Sequence, residues 1–435
     1  MRYLTAEYDV LVVGGGTAGV VAAIQAARAG LRVGVVELGS MLGGTTTVAG
    51  VAYPGLFHAW GRQIAAGIGW ELVEQSVLMD KGSMPDFTVP KRNPWQHSVP
   101  VNAALLSCLA EEACLSAGVE LHFHELVLTT TPLAEGWSVE TAGKGQRRVI
   151  SCRELIDCTG DADIVDMLGY PRIASAVKQP GTLIFRIGNY STGTMDESVV
   201  QKQYQAALER GALQVGDFSS PGGRFFDFLG DGGTNRQHVV GIDGSTASGK
   251  STANIHGRAS LMRLLRFVRT LPGAERARIL QMQPETGIRE TYRIVGETTV
   301  TRDDFLGGRV FADAVGFSFF PIDIHLDVGA HIEYLPPEVV PTIPLSALIP
   351  KGSRRLLIAG RSISSDRDAN SGLRVQASAM VMGQAAGAAA ALGVQSGVAS
   401  RDVPIASVRA LLARHGAILP AIDSSPIRTS LATTG

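Results

Sequence analysis

The chain has 435 residues, 45% hydrophobic and 18% charged, with a formal charge of −1, a globular composition with room for two or three domains and a large core. This balance excludes an extended disordered chain, and it offers neither a basic face for nucleic acid nor a polybasic run for an anionic membrane. The expected partners are therefore a small-molecule substrate and an electron acceptor still to be identified, with no nucleic acid and no membrane span. Cys108, Cys114, Cys152 and Cys158 fit neither a CxxC pair nor zinc-ligand spacing. Buried reduced thiols and no metal site are expected. The opening MRYLTAEYDV lacks a basic segment followed by an apolar one, so a cytoplasmic location is the default expectation.

In chain order, YDVLVV (8–13) reads as an apolar strand, 17–29 as an Ala-rich helix closed by Gly30, and RVGVVE (32–37) as a second strand. That is a βαβ unit. The stretch from about 43 to 100 is rich in Gly and Pro without sustained period and reads as loops around a site. A helix over 101–117 precedes strands and hairpins that end near 159. From about 166 to 340 the texture turns to aromatic strands and Gly-rich turns, with an amphipathic helix over 254–270. A strand then returns in RRLLIAGR, followed by the uncharged segment 375–400. Its Ala, Gly, Ser and Gln content gives weak transfer into lipid, so it reads as a buried, close-packed helix. A short helix and a tail occupy 401–435.

Gly14, Gly16 and Gly19 stand at G-x-G-x-x-G spacing between the first strand and its helix. The first glycine permits the turn, the second lets a pyrophosphate approach the backbone, and the third lets helix meet strand. Thr17 and Ala18 open the helix, whose free N–H groups and positive dipole end favour an anion. Glu37, 18 residues beyond Gly19, can accept ribose hydroxyls and would repel a 2′-phosphate. The fingerprint specifies a dinucleotide without separating NAD from FAD.

A second nucleotide signature lies in VVGIDGSTASGKST, with Gly244, Gly249, Lys250 and Ser251 at phosphate-loop spacing. Its surroundings oppose it. A phosphotransferase needs further parallel strands and an Asp at the end of one to hold Mg²⁺ through water. The best later run, FSFFPID, carries Pro321 inside it. A P-loop phosphotransferase using 244–251 is kept as the reading from a different class.

Three further stretches extend the comparison. LGGTTT (42–47) follows Glu37, LIDCTGDADI (155–164) forms a strand and turn, and LLIAGRSISSDRDANSGLRVQASAMVMGQAAG (356–387) comes late. With the N-terminal unit, these resemble the FAD-dependent oxidoreductases of the glutathione reductase type, in the branch related to fumarate reductase and ketosteroid dehydrogenase flavoproteins. The resemblance covers nearly the whole chain and is weakest over 190–235. It implies FAD as cofactor and an α/β fold: a discontinuous Rossmann-like FAD-binding domain, 1–165 and 345–400, with an inserted α+β substrate or cap domain, 166–344. It places Gly43, Gly44, Thr45, Val127, Thr159, Gly160, Asp161, Gly360 and Arg361 on the cofactor. It also sets a helix start near Gly372, Leu373, Arg374 and Val375 at the pyrimidine end of the flavin, where Arg374 adds a positive charge. The plainer reading is that GLRV only caps a buried helix.

No second G-x-G-x-x-G unit and no CxxC follow, which disfavours a disulfide reductase with bound nicotinamide. The late segment also departs from the pattern of aromatic monooxygenases, and Thr45, Thr46 and Thr47 stand where the succinate dehydrogenases carry the histidine that binds flavin covalently. His58 lies farther on, as a flavin neighbour or an ordinary loop histidine. For the chemistry, Arg289 and Arg293 share a face if their segment is helical or a tight turn and then clamp a carboxylate or polarise a carbonyl; otherwise they join an ion-pair network with neighbouring glutamates. In FSFFPIDIHLD, strand alternation puts Asp323 and His325 on one face, an oriented acid or base or else a structural histidine. His97 and Tyr292 are weaker candidates.

The resulting expectation is an FAD-dependent dehydrogenase or reductase moving a hydride between flavin and a small substrate at the domain interface. An oxidase or monooxygenase is the alternative. A flavin-carrying binding protein without turnover is the non-enzymatic reading.

Overall fold

The computed structural model of the chain describes residues 1–89, 94–220 and 223–422. Strand β1 (Arg2–Val13), helix α1 (Thr17–Arg28) and strand β2 (Val33–Glu37) form the βαβ unit read from the sequence. Strands β3 (Glu120–Phe123), β4 (Leu126–Leu133), β5 (Gly136–Gly143) and β6 (Gln146–Asp157) complete most of a seven-stranded sheet in the order β3-β2-β1-β6-β5-β4. Strand Leu356–Ile358 is the seventh and pairs with β6. β1 runs parallel to β2 and β6, and β6 continues into an antiparallel meander through β5 and β4. Residues 10–13, at the end of β1, are an unbroken apolar run, buried because both faces of a parallel sheet are covered.

Register decides where a ligand can sit. Val13 lies opposite Val36 on one side and Asp157 on the other, and Ile358 lies opposite Asp157. With Phe123 opposite Glu37, the carboxyl ends of the five parallel strands therefore share one edge, where open α/β sheets bind ligands.

A smaller apolar core gathers residues between Leu183 and Ala277. Its strands Phe185–Gly188 and Arg278–Met282 pair antiparallel, and helix α2 (Ala247–Val268) shares an apolar core with the first of them. Stacked and edge-on rings of Tyr204, Phe218, Phe225, Phe228 and Phe267 fill this core. Strand β7 (Ile322–His325) hairpins with Ala330–Glu333. Ile294, Val300, Phe305, Val315, Ile322 and Ile343 belong to the larger core together with the Rossmann residues. Much of the segment expected to form the cap thus packs on the cofactor side.

Helix α3 (Arg367–Leu373) leads into α4 (Gln376–Ser396), the uncharged helix. Its length and hydropathy would suffice to cross a membrane, but 89% of its most apolar window is buried inside the protein. Its small residues serve contact with α1: a Cβ on Gly383 would lie 2.2 Å from the Ala18 carbonyl oxygen, and one on Gly387 2.4 Å from that of Ala22. Two expectations need correcting. Helix Ile68–Met79 occupies part of the stretch read as loops, and α2 begins at Ala247, ahead of the expected 254. Gly67 and the buried Leu72, Val73 and Val77 mark the first, while Thr246 caps the second.

Candidate functional site

Each N-terminal glycine is required for its own reason. Gly14 has φ +101°, and a Cβ there would sit 2.4 Å from the Cys158 carbonyl oxygen. A Cβ on Gly19 would sit 1.9 Å from the Gly14 oxygen, so this glycine lets α1 meet the turn. Gly16 faces open space, with nothing within 4 Å of the corresponding Cβ. Gly16 is also the N-cap of α1, with no side-chain cap and no acid in the first turn. The first N–H groups of α1, including those of Thr17 and Ala18, are thus left for an external acceptor.

The Glu37 carboxylate braces this cradle: its Oε2 accepts from Gly15 N at 2.6 Å and its Oε1 from Gly39 N at 2.6 Å. Gly43 joins it by donating its N–H to the Gly15 oxygen at 2.8 Å. Beyond Gly44, whose carbonyl oxygen accepts from Thr47 N and Val48 N, Thr45 is exposed and the buried Thr46 Oγ1 has no partner. Val127 is buried in the core two residues past Glu125, whose N–H bonds to the Glu37 oxygen. An uncapped helix start, an open glycine and an orphaned hydroxyl fit a dinucleotide diphosphate, with Glu37 at the ribose.

At the next turn Asp157 accepts from Thr159 N and Oγ1 at 3.0 and 2.7 Å, and from Ile164 N at 2.9 Å. Both oxygens of Asp161 are taken by protein. Oδ1 accepts from Arg361 Nη2 at 2.5 Å and Thr291 Oγ1 at 2.7 Å, while Oδ2 accepts from Lys250 Nζ at 2.9 Å. Burial pushes this carboxyl up, but the charges of Arg361 and Lys250 hold it well below the usual range. Arg361 also donates to the Gly160 and Ile288 oxygens at 2.7 and 2.9 Å. Asp161 and Arg361 therefore tie segments together, and the nearby Gly360, φ +109°, faces Ala18.

The helix start expected over Gly372, Leu373, Arg374 and Val375 falls at the last of these. Gly372 and Leu373 end α3, and a Cβ on Gly372 would meet the Phe305 ring at 2.5 Å. Val375 is the N-cap of α4, without side-chain capping. The free N–H groups belong to the first turn from Gln376, with Ala377 N already donating to the Pro54 oxygen at 2.7 Å.

Arg289 and Arg293 do not form a clamp, because their segment is not helical. Arg293 lies in strand Tyr292–Ile294, buried, donating to the Ser365 oxygen at 3.0 Å and Ser175 Oγ at 3.1 Å. Arg289 instead donates to the Pro180 oxygen at 2.5 Å and Thr182 Oγ1 at 2.9 Å. Burial and the charge of Arg374 push it down to about 9, so it stays cationic at neutral pH. Arg374 Nη2 donates to Gln179 Oε1 at 3.1 Å and the Asp323 carbonyl oxygen at 3.0 Å, while its Nη1 is enclosed without a partner among the described residues.

Alternation along β7 brings His325 Nε2 to 3.1 Å from Asp323 Oδ2. Three features of this cluster escaped the sequence reading. Gln179 is its hub, accepting from both Arg374 and His325 N while donating to Glu290. His238 Nε2 lies 3.0 Å from His325 Nδ1, and Lys250 joins Asp161. No local pattern marks these tertiary pairings. The weaker candidates lie among aromatic and cationic neighbours. His58 stacks on Phe87 at 3.6 Å and is pushed down to about 4 by burial and by His97. His97 is buried beside Phe87, and Tyr292 lies under the Arg172 guanidinium at 3.9 Å.

The phosphate-loop letters do not make a phosphate loop. The helix starts at Ala247, so Gly249, Lys250 and Ser251 lie in its first turns. Thr246 Oγ1 accepts the Gly249 N–H at 3.0 Å, and Lys250 reaches Asp161. Among the described residues, no group of three or more His, Cys, Asp or Glu side chains is arranged to hold a metal.

Residues 9–412 match the family described as FAD dependent oxidoreductase. No curated protein matches the chain. Solved structures are similar at low identity. A geranylgeranyl bacteriochlorophyll reductase-like protein from Thermoplasma acidophilum is 14% identical over 94% of this chain and 83% of its own, with a TM-score of 0.44. The p-nitrophenol 4-monooxygenase of Pseudomonas putida DLL-E4 is 13% identical over 94% and 84%, also at 0.44. An anhydrotetracycline hydroxylase from Streptomyces rimosus is 19% identical over 41% of this chain and 38% of its own, at 0.29, so the match spans well under half of that protein.

Proposed function

The chain belongs to the FAD-dependent oxidoreductase family, and from that premise we propose that it oxidises or reduces a small organic substrate where the polar cluster on β7 meets the start of α4. FAD is the cofactor, and when bound it supplies two-electron hydride chemistry. The Gly14–Gly19 turn holds its diphosphate and Glu37 its ribose.

One observation carries the reading. Gln179, Asp323, His325 and Arg374 form a charged, hydrogen-bonded group, with the Arg289 charge beside it, packed against the junction of α3 and α4, where Asp323 N donates to Ser371 Oγ at 3.0 Å. Such a concentration of partly buried charge is expected at a site of chemistry. Arg289 and Arg374 lie near one carboxylate, Asp323, so the cluster suits a substrate oxygen that carries or gains negative charge. The reading keeps a separate electron acceptor as partner. It also keeps the glutathione reductase type, in the fumarate reductase and ketosteroid dehydrogenase branch, on the strength of the second glycine pair and the late segment.

The electron acceptor divides this reading in two. A dehydrogenase or reductase exchanges a hydride with its substrate directly, whereas an oxidase or monooxygenase passes electrons to oxygen. Anaerobic mixing with small alcohols, amines, enones and ene-acids tests both. Bleaching of the flavin absorbance by one of these compounds supports direct exchange, and rapid recovery in air then marks an oxidase. Bleaching by NADH or NADPH alone, followed by oxygen insertion into a substrate, supports the monooxygenase. No bleaching by any of them, together with no anaerobic reoxidation of the reduced flavin by the enones or ene-acids, would leave the protein a flavin carrier.

A further inference from the structure

The hydrogen bonds of His325 assign its protons. An ionised carboxylate accepts only, so His325 Nε2 must donate to Asp323 Oδ2 across the 3.1 Å contact. On a neutral ring, Nδ1 is then the acceptor, and His238 Nε2 donates to it across 3.0 Å. Both ring nitrogens of His325 are thus occupied by protein. Asp323 differs: its Oδ2 is used, but Oδ1 has no hydrogen-bond partner among the described residues, and the side chain keeps 13% of its surface exposed.

We infer that Asp323, through Oδ1, is the group that exchanges a proton with the substrate, and that His325 and His238 are positioning residues that aim its carboxylate. This rests on the reading that the cluster on β7 is the reaction site. When a CH–XH substrate becomes C=X, a hydride and a proton leave it. The hydride carries both electrons to the oxidised cofactor, and the X–H proton goes to Asp323 Oδ1, which becomes a neutral acid. Reduction returns that proton.

The surroundings favour the assigned protonation states. The groups facing the pair are His238, Arg289 beside Pro180 and Thr182, Arg374 at the end of α3, and Gln179, whose Oε1 accepts from His325 N at 2.9 Å. Burial and the two guanidinium charges push His325 down against its bond to Asp323. His238 is pushed down to about 3 by burial, Arg289 and His325, against the backbone of Leu326 and Asp327, which acts the other way. A positive imidazolium is disfavoured here, and so is a neutral Asp323 at rest, because His325, Arg374 and Arg289 offset the burial that pushes its carboxyl up. The histidines therefore stay neutral and pass a directed pair of N–H bonds to the carboxylate.

Two measurements on the FAD-loaded full chain test this. Long-range ¹H–¹⁵N spectra of histidine-labelled protein, assigned with His325→Gln and His238→Gln, should show His325 neutral and protonated at Nε2 at pH 7. A proton on Nδ1, or a doubly protonated ring, overturns the assignment without needing a substrate. With a substrate that bleaches the flavin, Asp323→Asn should slow anaerobic reduction by about 100-fold or more at unchanged FAD content. His325→Gln should cost about tenfold. His238→Leu should also lower the rate and shift its pH profile, and His238→Gln, which restores an N–H donor, should recover most of it. A loss in His325→Gln equal to or larger than that in Asp323→Asn would make the histidine the proton carrier and overturn the proposal. If nothing bleaches the flavin and nothing reoxidises its reduced form anaerobically, the redox reading fails, and the spectra still decide the proton pattern.

Discussion

Two glycine-rich segments of this chain carry nucleotide-binding letters, Gly14–Gly19 and Gly244–Ser251, and they differ in how the helix that follows is capped. At the first, α1 begins on a glycine with no side-chain cap, beside open space. At the second, Thr246 caps the helix, and a Cβ on Gly249 would sit 1.7 Å from the Asp243 carbonyl oxygen. The first glycine set makes room for a ligand, whereas Gly249 makes room for its own backbone. A phosphate motif works through unpaired N–H groups, and spacing alone does not reveal whether a neighbour has already claimed them.

The contrast can be broken most forcefully at Gly14. Gly14→Ala forces a side chain into positive φ and onto the Cys158 carbonyl, so it should cost on the order of 3 kcal/mol and lose FAD, as read by urea midpoint and flavin content. Gly16→Val sharpens the point. That position is open in the protein, so folding should be nearly unaffected while FAD affinity, followed by flavin fluorescence, falls on the order of 100-fold, or about 2.7 kcal/mol.

The next effect concerns His238, which leads into the second segment. Its folded pKa, about 3, lies below the unfolded value of 6.5, so the unfolded chain gains its proton first as pH falls. Stability is then whole above 6.5 and declines below it, by about 2 kcal/mol at pH 5 from this group. His58, lowered to about 4, adds to the slope. Urea midpoints at pH 7.5 and 5 should show the drop, and His238→Gln should flatten it. The smallest effect is expected at Lys250. Its side chain is 48% exposed, and Asp161 keeps Arg361 and Thr291 without it. Lys250→Ala should change stability by less than about 1 kcal/mol and leave FAD content intact.

What the sequence made legible was local. The β1–α1–β2 unit could be read because strand, turn glycines, helix and Glu37 lie within one short run. Asp323 and His325 could be paired because strand alternation is a two-residue rule. The helix start expected over Gly372, Leu373, Arg374 and Val375 falls at the last of these, while the missing side chain of Gly372 accommodates Phe305. Arg289 and Arg293 were joined by a helical spacing that does not apply, since strand Tyr292–Ile294 pairs with Arg172–Ala174 and turns Arg293 toward Ser175. Gln179, His238 and Lys250 gain their roles from partners 146, 87 and 89 positions away, and no local pattern announces those partners.

The most direct test of the account measures both nucleotides on one preparation. Flavin released by denaturation should amount to one FAD per chain, and calorimetric titration with MgATP should give no binding heat, in wild type and Lys250→Ala alike. Stoichiometric MgATP binding that disappears in Lys250→Ala, or wild-type protein that holds no FAD, would contradict it.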